Sequence, residues 1–145
     1  IVKRAPGERV HGERVIAQRT SEQMRRLMRL VVEKGTAKSA NVAGYLVGGK
    51  TGTAEKIENG RYKKDARISS FVGAFPMNSP KFVVYMMLDE PKGNKSTFGY
   101  ATAGWVVAPS IQRIVQRVAA LYGLEAVDEQ APMVRDQMII NVAVR

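Results

Sequence analysis

Apolar residues recur at helical spacing near the start of the chain and predict a helix over 21–34. One stripe repeats every three or four residues, and we expect it to face the core. Its members are Met24, Leu27, Met28 and Val31. Thr20 stands where it can cap this helix. Gly35 stands where a glycine with positive φ can end it.

Strand-like patterns follow, and they predict three strands joined by two tight turns. The first strand is expected over 45–57, and Asn59-Gly60 predicts a hairpin turn after it. The second is expected over 67–75. The third, over 81–88, is continuously apolar, which is typical of a strand covered on both faces.

A second apolar helix is predicted over 105–122, after a polar loop. Pro109 fits its first turn and Gly123 its end. One face is expected to be buried, and it consists of Ile111, Ile114, Val115, Val118 and Leu121. A strand or a short helix is expected over 138–144. This order of elements indicates an α+β fold, an antiparallel sheet flanked by helices.

Composition and charge narrow the classes of function. The chain has 145 residues, of which 45% are hydrophobic and 25% charged, as in one soluble domain. Its net charge of +10 suits nucleic acid, but the basic residues are scattered and aromatics are few. We therefore expect no nucleic-acid partner. There are no cysteines and a single histidine, His11, so neither a metal site nor another cofactor is expected.

One short segment carries candidate chemistry: Gly48-Gly49-Lys50-Thr51-Gly52-Thr53. It places a cation, two hydroxyls and three glycines within a predicted strand. Glycine weakens a strand unless another backbone or a ligand must approach closely. Alternation puts Lys50 and Gly52 on one face, and Thr51 and Thr53 on the other. The pattern alone fits a ligand site and a weak edge strand with an exposed lysine equally well.

The wider sequence resembles the transpeptidase domain of penicillin-binding proteins. Lys-Thr-Gly is one of three sequence elements of serine enzymes that recognise penicillin. Residues 44–56 resemble the family's strand with this element, and 69–76 and 83–91 resemble the next two strands. The resemblance runs in unbroken order over 2–123. It is nearest to the class B, monofunctional transpeptidases of cell division or elongation.

The resemblance implies a partial serine β-lactamase/penicillin-binding-protein-like fold. Residues 1–124 would be the C-terminal portion of the transpeptidase domain, and 125–145 an extension of unknown role. Because the first residue is Ile1, we expect the chain to begin inside a longer protein. The missing N-terminal part would hold a membrane anchor, with the domain on the periplasmic or extracytoplasmic face of the inner membrane.

The resemblance also implies roles for the motif residues as one wall of a catalytic cleft. Lys50 would supply positive charge beside the nucleophile. Thr51, Gly52 and Thr53 would bind the substrate, the two hydroxyls at its carboxylate. The N–H of Thr53 would form half of an oxyanion hole, where one preorganised donor contributes about 3–4 kcal/mol.

The nucleophile of this family is a Ser followed three residues later by Lys, and no serine here has that spacing. Ser39-Ala40-Asn41 matches the family's Ser-x-Asn element by letters, but it lies shortly before Lys50 and we interpret it as a chance match in a loop. We therefore expect a fragment of a peptidoglycan D,D-transpeptidase that is inactive alone. The complete protein would cross-link stem peptides by acyl transfer and bind β-lactams.

Two other functions stay open at this point. The chain could be a noncatalytic domain of the same fold that binds a peptide or protein. A weaker alternative, from charge alone, is a basic nucleic-acid-binding module. The presence of Lys50 together with Gly52 favours a ligand site of the enzyme. We also expect the fragment to dimerise by pairing or exchange of its exposed strand edges.

Overall fold

The computed structural model describes residues 12–138 and 140, without the side chains of residues 64 and 65. His11 lies outside the described residues. In chain order the elements are α1 (Gln18–Lys34), β1 (Gly48–Glu58), β2 (Arg61–Phe75), β3 (Phe82–Asp89), α2 (Ala103–Val106), α3 (Ala108–Leu121) and α4 (Pro132–Met138), with short 3₁₀ helices at Lys38–Ala40 and Lys95–Thr97. The predicted α+β class, with helices around an antiparallel sheet, is confirmed.

The three strands form one antiparallel sheet in the order β1-β2-β3. Asn59 and Gly60 both have positive φ, 52° and 75°, as the predicted hairpin turn requires. The hairpin continues to this turn, so β2 begins at residue 61 and not at 67. In contrast, β1 begins at Gly48 and not at residue 45, because Leu46 has a left-handed φ of 41° that interrupts the extended backbone.

The helices cover one face of the sheet and leave much of the other exposed. Phe71 and Phe75 of β2 are fully buried. They belong to the main core, an apolar cluster that also contains Val32, Val47, Val107, Ile111 and Val115. On the opposite face, Val83 of β3 is 79% exposed and Tyr85 is 63% exposed. The prediction that the third strand is covered on both faces is therefore wrong for the described residues. Its burial alternates, because the helices pack against only one of its faces.

Helix α1 differs from its prediction at both ends. It begins at Gln18, with Ala17 in the capping position, so Thr20 lies inside the first turn and is not the cap. Gly35 follows the last residue with a φ of −102°, which is not left-handed. A Cβ there would lie 2.7 Å from the Val31 carbonyl oxygen. Position 35 therefore favours glycine because the backbone of Val31 lies too close for a side chain, not because of a left-handed φ.

The buried face of α1 is also rotated from the predicted stripe. Met28 and Val31 pack against buried residues, whereas Met24 and Leu27 are 44% and 47% exposed. The prediction that the whole stripe is core is wrong for these two residues. Arg29 is buried instead, because polar partners from distant parts of the chain surround its guanidinium group.

The predicted second helix forms two helices, α2 and α3, that meet at Val107. Pro109 occupies the first turn of α3, which ends at Leu121 just before Gly123 with its φ of 59°, as expected. Ile111 and Val115 are buried and Val118 packs against the core. Two residues of the predicted face, Ile114 and Leu121, are exposed. The main core packs against only the part of the apolar stripe that contains Ile111, Val115 and Val118.

The end of the chain holds the helix α4, which ends at Met138. The element predicted over 138–144 falls mostly on residue 139 and residues 141–144, outside the described residues. Among the residues that the structure describes, no helix combines the length and apolar character that a membrane crossing requires.

Candidate active-site wall

The motif Lys50-Thr51-Gly52-Thr53 lies in β1, at the edge of the described sheet. The two glycines just before it, Gly48 and Gly49, are buried and packed. A Cβ on Gly48 would lie 2.5 Å from the Met77 side chain, and one on Gly49 would collide with the Phe71 ring. Gly52 is exposed and its nearest neighbour is the flexible Ser70 hydroxyl. Packing thus explains Gly48 and Gly49, whereas at position 52 the nearest atom is the hydroxyl of a flexible side chain.

Thr51 and Thr53 point to the same side of β1, as strand alternation predicts. The Oγ1 atom of Thr51 lies 2.7 Å from Oγ1 of Thr36, and the two hydroxyls share a hydrogen bond. The Oγ1 atom of Thr53 accepts a hydrogen bond from the backbone N–H of Ala103, at 3.1 Å. Both threonine side chains are therefore fixed toward α2 and the segment after α1.

The two threonines line an open pocket of about 470 Å³. Five of its eight lining residues carry a hydroxyl group. The lining residues are Thr36, Lys38, Ser39, Thr51, Thr53, Thr102, Gly104 and Trp105. Such a wall offers hydrogen-bond donors and one cation, which suits a carboxylate or a carbonyl-bearing ligand.

Ser39 is a pocket residue that the sequence interpretation missed. It lies in the 3₁₀ helix Lys38–Ala40, not in an irregular loop, and it faces the same pocket as Thr51 and Thr53. The neighbouring Asn41 turns away, because its Oδ1 accepts a hydrogen bond from Arg29. The sequence offered two signals for it, the small polar residues over 36–41 and the Ser39-Ala40-Asn41 match that was interpreted as chance.

Lys50 does not line this pocket. It is exposed on the opposite face of β1, together with Gly52, again as alternation predicts. Its Nζ donates a hydrogen bond to the carbonyl oxygen of Thr51 at 2.7 Å. On this face Lys50 stands opposite Val72 of β2, and Val72 stands opposite the exposed Tyr85. The structure thus brings the two threonines together and holds the lysine on the other side of the strand.

Charged groups meet further along β1, where Lys56 reaches the end of β3. Its Nζ lies 2.9 Å from Glu90 Oε1 and 3.0 Å from Asp89 Oδ1. The hydrogen bond from Lys56 holds the pKa of Glu90 below its ordinary value. The hydrogen bonds to Glu90 and Asp89 raise the pKa of Lys56. This cluster joins the outer ends of the strands and lies outside the hydroxyl pocket.

Comparison with known proteins agrees with the motif. The family model described as penicillin binding protein transpeptidase domain matches residues 2–112. A relative from Caulobacter vibrioides, named probable peptidoglycan D,D-transpeptidase FtsI, is 42% identical over 134 residues, covering 86% of this chain and 23% of the relative.

Solved structures show the same likeness. The apo transpeptidase (TP) domain of penicillin-binding protein 3 from Burkholderia pseudomallei is 34% identical, with a TM-score of 0.72, over 86% of this chain and 36% of that one. Penicillin-binding protein 3 from Mycobacterium tuberculosis, complexed with ampicillin, is 28% identical, with a TM-score of 0.69, over 88% of this chain and 31% of that one.

A second relative, the stage V sporulation protein D of Bacillus subtilis, is 43% identical over 104 residues. This chain spans less than a quarter of the length of either curated relative, 23% of the Caulobacter vibrioides protein and 15% of the Bacillus subtilis protein. The resemblance to class B transpeptidases is confirmed. The chain belongs to the penicillin-binding protein transpeptidase domain family and represents one part of that domain.

Proposed function

We propose that this chain forms one wall of the active site of a peptidoglycan D,D-transpeptidase. One observation carries the proposal: Lys50-Thr51-Gly52-Thr53 lies on an edge strand beside a hydroxyl-lined pocket. That strand belongs to a chain 42% identical to a protein named as a probable enzyme of this class. The rival interpretation, a noncatalytic domain that binds a peptide or protein, has no comparable support.

In the proposed reaction, a serine of the complete protein attacks the carbonyl carbon of the D-alanyl-D-alanine bond in a stem peptide. The C–N bond breaks, and the terminal D-alanine leaves with a proton on its nitrogen. The acyl-enzyme is then attacked by an amine of a neighbouring strand, which releases the serine. β-Lactams would acylate the same serine.

The wall would bind the substrate and stabilise its charge. The Thr53 hydroxyl accepts from the Ala103 N–H and keeps its own hydrogen to donate to the terminal carboxylate. The Thr51 hydroxyl, which shares a hydrogen bond with Thr36, would donate to the same carboxylate. The N–H of Thr53 would donate to the oxyanion. Gly52 is exposed, so the substrate backbone can approach β1 there. Among the described residues, the Lys50 amino group donates only to the carbonyl oxygen of Thr51, and it would turn round the edge of β1 toward a nucleophile supplied by the rest of the domain.

By the same resemblance, we place the complete protein at the extracytoplasmic, periplasmic face of the inner membrane, held by an anchor upstream of this chain. The chain alone lacks the Ser-x-x-Lys element. It is therefore expected to be inactive, without a covalent reaction with β-lactams.

Labelled penicillin tests this function on the complete protein and on the 145-residue chain. We expect covalent label on the complete protein and none on the chain. Lys50→Ala in the complete protein should slow labelling by about 100-fold or more. Lys81→Ala, an exposed lysine between β2 and β3, serves as the matched control and should label normally. Covalent label on the chain alone, or an unchanged rate for Lys50→Ala, would contradict the proposal.

We also propose that the isolated fragment associates with itself through strand edges. In the described sheet both β1 and β3 are edge strands, and unpaired edges pair readily with other chains. Sedimentation equilibrium at micromolar concentration should give the mass of a dimer. A monomeric mass would contradict this proposal.

A further inference from the structure

Residues 124–138, beyond the part matched by the family model, lie across α1 and the segment that leads into β1. The carbonyl oxygen of Gly44 accepts from the N–H of Val127 at 2.8 Å, and the N–H of Gly44 donates to Glu129 Oε1 at 2.7 Å. Further along, Arg26 Nε donates to the carbonyl oxygen of Gln137 at 2.7 Å. The segment is therefore bonded on one side to the approach of β1 and on the other to α1.

Arg29 connects these parts from the inside. It is 1% exposed, and its Nη2 donates to Glu129 Oε2 at 3.0 Å. Its Nη1 donates to the carbonyl oxygen of Val47 at 2.9 Å and to Asn41 Oδ1 at 2.7 Å. Its Nε forms an ion pair with Glu33 at 3.0 Å. Glu129 thus holds Gly44 with one oxygen, and with the other it holds the arginine that binds Val47.

The backbone between these two points is strained. Leu46 has a φ of 41° and is 2% exposed, a conformation that a branched, non-glycine residue keeps only where its surroundings fix it. Its side chain packs with Met77 and Met138, and its carbonyl oxygen accepts from the N–H of Met77 at 3.0 Å. Met138 belongs to α4, so the C-terminal segment also holds the strained residue by apolar contact.

We infer that residues 124–138 act as a strap that sets the position of the motif strand, with Glu129 and Arg29 as positioning residues. They act through Val47, which precedes Gly48-Gly49-Lys50 directly. The main core holds β2 and β3 and also includes Val47, whereas residues 124–138 add only Leu124 to it. Their other apolar contact with these strands is with Ala74 of β2, in the cluster of Leu46, Met77 and Met138. Loss of the Glu129 carboxylate should therefore loosen the beginning of β1 and leave β2 and β3 in place.

Residue-resolved hydrogen exchange on the 145-residue chain tests the mechanical part of this inference, independently of any activity. In Glu129→Ala, those amides of 44–53 that are protected in the unaltered chain should exchange at least about 10-fold faster. Amides between β2 and β3 should change by less than about 2-fold. Glu129→Gln keeps the shape of the side chain but only one acceptor oxygen, because its NH2 group cannot accept from Gly44 or Arg29. It should therefore restore only part of the protection, and it replaces Glu129→Ala should that variant fail to fold. Glu125→Ala, an exposed acid on the same segment, is the control and should match the unaltered chain.

A uniform loss of protection over the whole sheet, or none in 44–53, would overturn the inference. Its catalytic consequence rests on the proposed function and needs the complete protein. There, Glu129→Ala should slow labelling by penicillin about 10-fold, and Glu129→Gln should label at a rate between those of the unaltered protein and Glu129→Ala. Faster exchange with unchanged labelling would overturn the catalytic consequence. An unlabelled but folded complete protein would instead overturn the proposed function, while the exchange result still decides the strap.

Discussion

Single residues around the motif separate packing from function. Gly49 sits where a side chain would collide with the Phe71 ring and come within 2.5 Å of the Val72 carbonyl oxygen. Neither neighbour can move without disturbing the main core, since Phe71 is fully buried. Gly52 is exposed, and no buried neighbour would collide with a side chain there. The missing side chain at this position would matter to a ligand that approaches β1 from solvent.

The change Gly49→Ala should therefore destabilise the chain by about 1–3 kcal/mol, the usual cost of an extra group in a packed core. Chemical denaturation measures the free energy of unfolding. Gly12→Ala is the control, because no atom of the described residues lies within 4 Å of a Cβ at that position, and the change should be close to neutral. A neutral Gly49→Ala would mean that the backbone around Phe71 is looser than its packing indicates.

Arg29 shows what the sequence could not reveal at this scale. It stands outside the predicted apolar stripe of α1, and charged side chains are seldom buried. Its burial depends on Glu129, exactly one hundred positions away in the chain, and on a carbonyl oxygen at Val47. Such partners leave no local pattern. The threonines, by contrast, followed from alternation alone, because strand geometry fixes their common side.

At the scale of elements, β3 carries an alternation that its composition hides. All of its residues from 82 to 88 are apolar, yet only every second one packs against the core. Periodicity located this strand and its turns within a few residues. It could not locate what covers each face, because that depends on elements packed from elsewhere.

Two neighbouring substitutions test this alternation. Val84→Thr places a hydroxyl against the main core and should lower the free energy of unfolding by about 1–2 kcal/mol. Val83→Thr, on the exposed face of the same strand, should change it by less than about 0.5 kcal/mol. Thermal or chemical unfolding of the two variants decides the matter. Equal losses would show that both faces are covered.

The charged cluster at the ends of the strands predicts a pH dependence. The pKa of Glu90 is lowered by the hydrogen bond from Lys56. Its contribution to stability is therefore present above the ordinary pKa of glutamate and is lost as the pH falls through the lowered, folded value. Because the cluster is exposed, the contribution is small.

Titration by NMR should place the pKa of the Glu90 carboxyl group below that of an ordinary glutamate. In Lys56→Met it should return toward the ordinary value, and stability should fall less steeply on acidification. Lys81→Met removes an exposed lysine elsewhere and should leave the Glu90 titration unchanged. An identical Glu90 pKa in Lys56→Met would show that the hydrogen bond does not persist in solution.

At the scale of the whole molecule, one face of the described sheet is largely exposed to solvent. The sequence carries the Lys50-Thr51-Gly52 element but no Ser-x-x-Lys element. The exposed side of β2 and β3 carries Val72, Tyr85 and Met87 beside Lys50. The pocket with Thr51 and Thr53 lies on the other side. Both features suit a wall that works only within a larger domain, as the 36% coverage of a solved transpeptidase domain indicates.

The most direct test grafts this chain into a relative. The corresponding segment of the Caulobacter vibrioides protein is replaced by residues 1–145, and labelling by penicillin is measured on the folded chimera. We expect covalent labelling, and we expect Lys50→Ala within the graft to slow it by about 100-fold or more. A folded chimera that takes no label, or one that Lys50→Ala leaves unchanged, would contradict the claim that this chain is an active-site wall.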